Sequence, residues 1–290
     1  MTQGIDRVKQ LFEVRAPKSP AIIAPFDGVL SFYETGKMRY VKIVSEFLKR
    51  TYLVKAGYTV DIKKGQVLAK GGVYASKSKS KLKVKEEGTV LEAHKDRIVL
   101  GVQETFTKPL LGLTALKTKD GTEVFKGEIL TNGALDIKEY KEIVGDLETQ
   151  RHIIREVKKV YSAQGQDLND KHIEVVIKQL FSKVFVEDSG ESSFVPGTYA
   201  KYEDFIKINK DLEQQGKKQA KGRRLALGLT NIAKETDSWL SAASFQETIR
   251  VMVAASLKGS IDTLSDLKSN VIIGRLLPVG EIYRKDHGVE

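Results

Sequence analysis

The sequence predicts an α+β fold in which small β-barrel modules come first and a mainly helical region follows. Three observations carry that prediction. From Ala21 to about Gly133, short β-branched runs alternate with glycines, the pattern of strands joined by tight turns. Within that stretch two segments resemble one another, Ala56 to Leu68 and Asp120 to Leu130, each with Gly, Val, Gly and Leu in that order. Their glycines permit tight turns and their apolar residues suit a small barrel interior. After residue 134 the apolar residues recur at helical spacing instead.

Residues 1–16 suit a short amphipathic helix, with Ile5, Val8, Leu11 and Phe12 at helical spacing and Pro17 and Pro20 beyond its end. Strand-like runs follow at Ala21–Ala24, Val29–Leu30, Tyr40–Val44 and Tyr52–Val54. Residues 70–118 exceed one small module and read as an insertion or an elaboration. Inside them Lys77, Lys79, Lys81, Lys83 and Lys85 recur at period two, so one strand would turn all five to one face. Two readings fit: a solvated face that guards a sheet edge, or a face that meets nucleic-acid phosphates. No aromatic residue interleaves with these lysines, which argues against stacking on a single strand.

Between 135 and 163 the apolar positions are Leu135, Ile137, Tyr140, Ile143 and Val144, then Leu147, Ile153, Ile154, Val157, Val160 and Tyr161. Gly145 breaks that run. Asp170 is the expected cap of a helix from Lys171 to about Phe181, which buries Ile173, Val176, Ile177 and Leu180 and leaves His172 at the surface. Val184–Val186 reads as a strand, 190–197 as a loop and Tyr202–Gln215 as a charged helix. The stretch 216–224 then reads as a flexible basic loop. Its cations, Lys217, Lys218, Lys221, Arg223 and Arg224, suit either a solvated connection or a contact to a phosphate backbone.

From Asp237 to Gly259 a loop feeds a helix. Ser244 with Glu247 three residues on forms the pattern of a capping box, and Gly259 supplies a left-handed stop. Phe245, Ile249, Met252, Val253 and Leu257 share one helical face, the sign of a half-buried helix. Residues 262–268 suit a short helical turn, and Asn270–Pro278 a strand and exit.

The totals bound the function. A chain of 290 residues has room for two domains, and 41% hydrophobic with 8% aromatic residues is a globular composition. No cysteine is present, which excludes disulfides and thiolate metal sites and suits a reducing cytoplasm. There is no signal-peptide pattern and no apolar run near the roughly 20 residues of a membrane span. A net charge of +10 favours a polyanionic partner. The four histidines are scattered, and no P-loop, His-Glu-x-x-His motif or nucleophile elbow occurs, so no metal or cofactor is expected in this chain.

Four segments, in order, resemble the C-terminal part of the largest (β′) subunit of bacterial DNA-directed RNA polymerase. They are Thr2–Glu13 with Arg15–Lys18; Gln164–Gly165 with Asn169–Ile177; Gly228–Lys234; and Ser241–Thr248 with Arg250, followed by Asn270–Pro278. The resemblance implies a division into 1–20, after the trigger loop; 21–134, jaw-like barrel-sandwich hybrid modules with an insertion at 70–118; 135–235, helical; and 236–290, a clamp-base switch and exit. It places Ser241, Ala242, Ala243, Ser244, Phe245, Gln246, Glu247, Thr248 and Arg250 beside template DNA. It also implies the partners: the β, α and ω subunits, the remainder of β′, a sigma factor and DNA, but no membrane. Two departures stand out: Asp6 replaces the family's usual Pro, and Gly280–Gly288 lacks its Gly-Thr-Gly-like run. The family's acidic metal loop, bridge helix and trigger loop are absent, so the chain alone is expected to be inactive, with Mg²⁺ held elsewhere in the enzyme. A rival reading is a biotinyl- or lipoyl-like carrier. That needs one lysine at a hairpin tip, whereas Lys77–Lys85 is repetitive, and it leaves Ser241–Arg250 unexplained.

Overall fold

The computed structural model describes residues 4–36, 38–54, 57–60, 62–77, 80–94, 96–110, 116–277, 279–280 and 284. The chain divides into two compact units. One comprises Ala16–Thr149; the other comprises Thr2–Arg15 and Gln150–Glu290 and begins with helix α1 (Ile5–Phe12).

The first unit is built on a six-stranded antiparallel sheet. Its strands are β1 (Gly28–Thr35), β2 (Met38–Leu53), β3 (Val67–Leu68), β6 (Gly88–Ala93), β7 (Arg97–Leu110) and β8 (Glu123–Val124), in the spatial order β3-β6-β7-β2-β1-β8. Strands β4 (Val73–Lys77) and β5 (Ser80–Lys83) form a separate hairpin. The sheet is open: among the described residues no pairing joins β3 to β8.

Two cores lie along the long β2–β7 ribbon. One gathers Ile22, Phe26, Leu30, Val41, Ile43, Leu110, Val124 and Leu130. The other gathers Ile62, Leu68, Tyr74, Val84, Val90, Ile98, Leu100 and Val102. Each of the self-similar segments therefore closes its own core, Ile62 and Leu68 in one, Val124 and Leu130 in the other. The register explains how one ribbon serves both. Ile43 pairs with Phe106 on one side of an irregularity between Ser45 and Leu48, and Tyr52 pairs with Ile98 on the other. An inserted residue reverses the alternation of side chains. In β2 the odd positions Val41 and Ile43 face the first core, and the even position Tyr52 packs on the second.

Gly28 starts β1 where no side chain fits, since a Cβ there would lie 2.5 Å from the Val44 carbonyl oxygen. Helix α2 (Ile137–Val144) is capped by the Asp136 carboxylate, which accepts the Lys138 amide at 2.9 Å, and it stops at Gly145, with φ 91°. Its Tyr140 packs with Ala21, Ile23 and Leu135. The break expected at Gly145 is present, and α3 (Asp146–Ser162) follows it.

The lysine run is corrected by this fold. Lys77 ends β4 opposite Ser80, and Lys81 in β5 lies opposite Ser76. Cross-strand partners share a face, so Lys77 faces away from Lys81 and Lys83. The run divides between the antiparallel strands β4 and β5 in place of the single strand on which period two was counted. Lys79 lies outside the described residues.

The second unit is mainly helical around a three-stranded antiparallel sheet. Helix α1 buries Val8 and Leu11, and its buried Arg7 approaches Glu156 of α3 at 3.6 Å. Helix α4 (Asp170–Leu180) buries Ile173, Ile177 and Leu180 as expected, while Val176, expected with them, is only half-buried. Its cap is Asn169 rather than Asp170, because the Asn169 side chain is the one in extended backbone that reaches the Lys171 amide, at 3.1 Å. Strands β9 (Lys183–Asp188), β10 (Tyr199–Lys201) and β11 (Lys221–Arg224) are ordered β10-β9-β11, with α5 (Tyr202–Gln214) between β10 and β11 in sequence. The expected flexible basic loop is thus partly strand, paired to β9 from Lys221 to Arg224.

Helices α6 (Leu229–Lys234), α7 (Trp239–Phe245), α8 (Thr248–Lys258) and α9 (Leu267–Ile273) complete the unit. Residues 270–273, expected as strand, are helical, because the Asp266 carboxylate accepts the Ser269 amide at 3.2 Å and caps α9. Pro278, the expected end of that strand, lies outside the described residues.

Candidate functional site

The segment matched from Ser241 to Arg250 is a joint between two helices. Helix α7 starts at Ser238, whose Oγ accepts the Ser241 amide at 3.0 Å. The same hydroxyl donates to Asp262 Oδ2 at 2.6 Å, and that oxygen also accepts the Leu240 amide at 3.1 Å. Asp262 Oδ1 accepts the Leu264 amide at 2.9 Å. One carboxylate therefore ties the start of α7 to the loop that leads into α9. Burial pushes the Asp262 carboxyl up, but the Ser238 hydroxyl and the amides of Leu264 and Leu240 outweigh it and hold it below the usual carboxylate range. Small residues let α7 pack closely, with Ala242 and Ala243 both buried.

Helix α7 ends at Phe245. Gln246 is extended, with φ −160° and ψ 154°, and Glu247 is left-handed, with φ 58° and ψ 41°. These two residues turn the chain before α8 begins. A non-glycine residue rarely adopts that left-handed region without support. Here the support is electrostatic. Glu247 Oε1 accepts from Lys234 Nζ at 2.5 Å, and Oε2 accepts from Arg250 Nη1 at 2.8 Å. The Lys234 hydrogen bond and charge, then Arg250, hold the Glu247 carboxyl below its usual range. Thr248 Oγ1 adds a bond across the joint to the Ala243 carbonyl at 2.8 Å.

This geometry overturns the expected capping box. Ser244 lies inside α7, where its Oγ donates to the Ser241 carbonyl at 2.8 Å instead of receiving an amide. Glu247 reaches outward to cations and caps nothing. A capping box needs a serine in extended backbone at the helix start, and Ser244 is already helical. The expected stop at Gly259 is present, with φ 60°. The expected half-buried face is not: Ile249 is 81% and Leu257 84% exposed, and α8 buries only Ala255.

A cavity of about 450 Å³ opens beside the joint, lined by residues that include Lys234, Trp239, Gln246, Glu247, Arg250 and Lys258. Lys234, Ser238 and Asp262 were not singled out by the sequence. Ser238 stands 24 positions from Asp262, and Lys234 stands 13 from Glu247, so no local spacing marks either pair.

The other basic candidates divide. Lys81, Lys83 and Lys85 are exposed in the first unit. In the second, Lys217 and Lys221 are exposed, Lys218 pairs with Asp188 at 2.8 Å, and Arg223 approaches Glu187 at 4.0 Å. Arg224 is a fastening within the fold. Its Nε donates to the Phe181 carbonyl at 2.7 Å, and its guanidinium lies over the Tyr202 ring, 3.9 Å from the centroid. Among the described residues no three His, Asp or Glu side chains are grouped to hold a metal ion, and no helix is long and apolar enough to cross a membrane.

The family described as RNA polymerase Rpb1, domain 5, matches residues 8–237. The chain belongs to that family and corresponds to a C-terminal region of the β′ subunit. The β′ subunit of DNA-directed RNA polymerase from Chloroflexus aggregans is 34% identical over 290 residues, covering 97% of this chain and 19% of that protein. The β′ subunit of Dehalococcoides mccartyi strain BAV1 is 35% identical over 294 residues, covering 96% and 22%. That of Caldanaerobacter subterraneus subsp. tengcongensis is 36% identical over 282 residues, covering 97% and 19%. The chain thus spans about a fifth of the length of these curated relatives. The family match stops at Asp237, before the α7–α8 joint, whereas the relatives' alignments, covering nearly all of the chain, extend into it. The carrier-protein reading finds no support among them.

Proposed function

We propose that this chain works as the C-terminal part of an RNA polymerase β′ subunit, in DNA-templated RNA synthesis. The first unit acts as the jaw-like β module, with its barrel-sandwich character residing in the two cores on one ribbon, and flanks downstream DNA. The α7–α8 joint acts as the clamp-base switch beside the template. The observation that carries this reading is that the one segment resembling a polymerase switch is, in three dimensions, a turn between two helices braced by the Lys234–Glu247–Arg250 ion pairs. Such a joint can rotate when its charges find other partners.

On this reading Lys81 and Lys83 on one face of β5, with the exposed Lys85 beyond its end, meet the phosphate backbone, Lys77 faces away from Lys81 and Lys83, and Lys217 and Lys221 are the outward cations of the second unit. Synthesis takes place at a Mg²⁺ site outside this chain, and the working partners are the β, α and ω subunits, the remainder of β′, a sigma factor and DNA, in the cytoplasm. The test is reconstitution. The tagged chain, mixed with the other subunits, is expected to enter a complex whose templated RNA synthesis requires it, while the pure chain with template, nucleotides and Mg²⁺ makes no product. A complex that excludes the chain, or that works equally well without it, overturns the reading.

A further inference from the structure

Lys234, Glu247 and Arg250 stand at the joint and share one cavity. Lys234 comes from α6, Arg250 from α8, and Glu247 is the left-handed residue between α7 and α8. Both oxygens of the single carboxylate are engaged, one by each cation. Arg250 keeps most of its side chain in solvent, at 83% exposure, and Lys234 and Glu247 are each about a third exposed. Two cations from different helices converging on one pair of oxygens form the arrangement that binds a phosphodiester. Here an internal carboxylate occupies it.

We infer that Glu247 is a built-in competitor: it fills an anion site formed by Lys234 and Arg250 that a nucleic-acid phosphate takes by displacing it. This deepens the proposed switch function and rests on it, since it assigns the ligand and the mask of that same joint. When a phosphate engages Lys234 and Arg250, the two cations no longer brace the left-handed backbone of Glu247, and the angle between α7 and α8 is freed. Phosphate binding and joint release are then one event. No covalent step is involved.

The test uses the full chain and a fluorescein-labelled B-form duplex, with binding read by anisotropy across a salt series. Glu247→Gln removes the competing charge and keeps the side-chain length. Glu247→Gly removes the carboxylate and adopts the left-handed backbone without strain, so a folding defect in one variant does not decide the result. Both are expected to bind more tightly than the parent by roughly two- to thirtyfold, the worth of two exposed ion pairs. Adding Lys234→Gln or Arg250→Gln to Glu247→Gln is expected to lower the salt slope by about 0.9 for each phosphate that is no longer neutralised. If Glu247→Gln and Glu247→Gly, both folded by circular dichroism, bind no more tightly than the parent, Glu247 is only a brace and the inference is overturned. An unchanged salt slope on removing Lys234 and Arg250 overturns it equally. Failure of the proposed function shows separately, in the reconstitution, because the anisotropy series reads the anion site without the other subunits.

Discussion

Replacing Ser238 by Ala tests the architecture of the joint most directly. Two interactions disappear together. The first is the cap on α7, whose removal typically costs about 1 kcal/mol. The second is the hydroxyl's bond to Asp262. Bonds to charged groups contribute about 1.5–3 kcal/mol, but Asp262 is half-buried and keeps the Leu240 and Leu264 amides, so about 1 kcal/mol is the appropriate share. The sum is about 2 kcal/mol. Ser244→Ala removes only an exposed bond within the last turn of α7, and alanine is the better helix former by a few tenths of a kcal/mol, so its effect should stay within about 0.5 kcal/mol. Trp239, the only tryptophan, follows Ser238 directly and reports this unit by fluorescence during urea unfolding. With a slope near 2 kcal/mol per molar urea, Ser238→Ala should lower the midpoint by about 1 M while Ser244→Ala leaves it nearly unchanged. Equal midpoints for the two variants, or a larger drop at Ser244, would refute the placement of the cap.

Three further outcomes are expected. Arg224→Lys should cost about 1–2 kcal/mol in the same assay, because lysine lacks the planar group that stacks on Tyr202 while bonding the Phe181 carbonyl; parent-like stability would show that the stack contributes nothing. Gly228→Ala should cost about 1–3 kcal/mol, since its Cβ would lie 2.5 Å from the Glu13 carbonyl oxygen, where Thr230 also bonds the Glu13 carboxylate; an unchanged urea midpoint would mean that α1 gives way freely. The last outcome concerns pH. Glu247 is depressed in the fold, so its contribution is fully present above the unfolded carboxylate value of about 4.3 and is lost as pH falls through the lower folded value. The gap in urea midpoint between parent and Glu247→Gln should therefore close over that acid window. A gap that stays constant through it would sink the assignment.

What the sequence made legible, and what it hid, follows the range of the interactions. Helix stops set by one glycine were readable, since Gly145 ends α2 and Gly259 ends α8, and the spacing found Val8 and Leu11 of α1 and Ile173, Ile177 and Leu180 of α4, though Ile5 is exposed and Val176 only half-buried. The β texture of the first unit was readable too, because glycine turns and β-branched runs are local signals. The irregularity at Ser45–Leu48 was not, since register belongs to a pair of strands and only one strand is seen at a time. The lysine run failed for the same reason: period two is informative only within one strand, and the run divides between two paired strands. At the joint, Ser244 and Glu247 have the spacing of a capping box, but the competing cap at Ser238 draws on Asp262, 24 residues away, and Glu247 draws on Lys234, 13 residues away.

Helix α8 shows a different limit of sequence reading. Ile249, Val253 and Leu257 recur every four residues, a spacing that predicts a face buried in the chain's own core. All three are exposed, Leu257 most of all at 84%. Helical spacing of apolar residues records that a face is selected to leave water; it does not say which polypeptide covers it. The chain spans only about a fifth of its relatives' length, so its apolar positions need not all be satisfied within it. The cores on the β2–β7 ribbon, by contrast, close inside the chain. Joints such as α7–α8 are held instead by Ser238 with Asp262 and by Glu247 with Lys234 and Arg250. Polar contacts of this kind keep a helix in place while leaving its apolar side open.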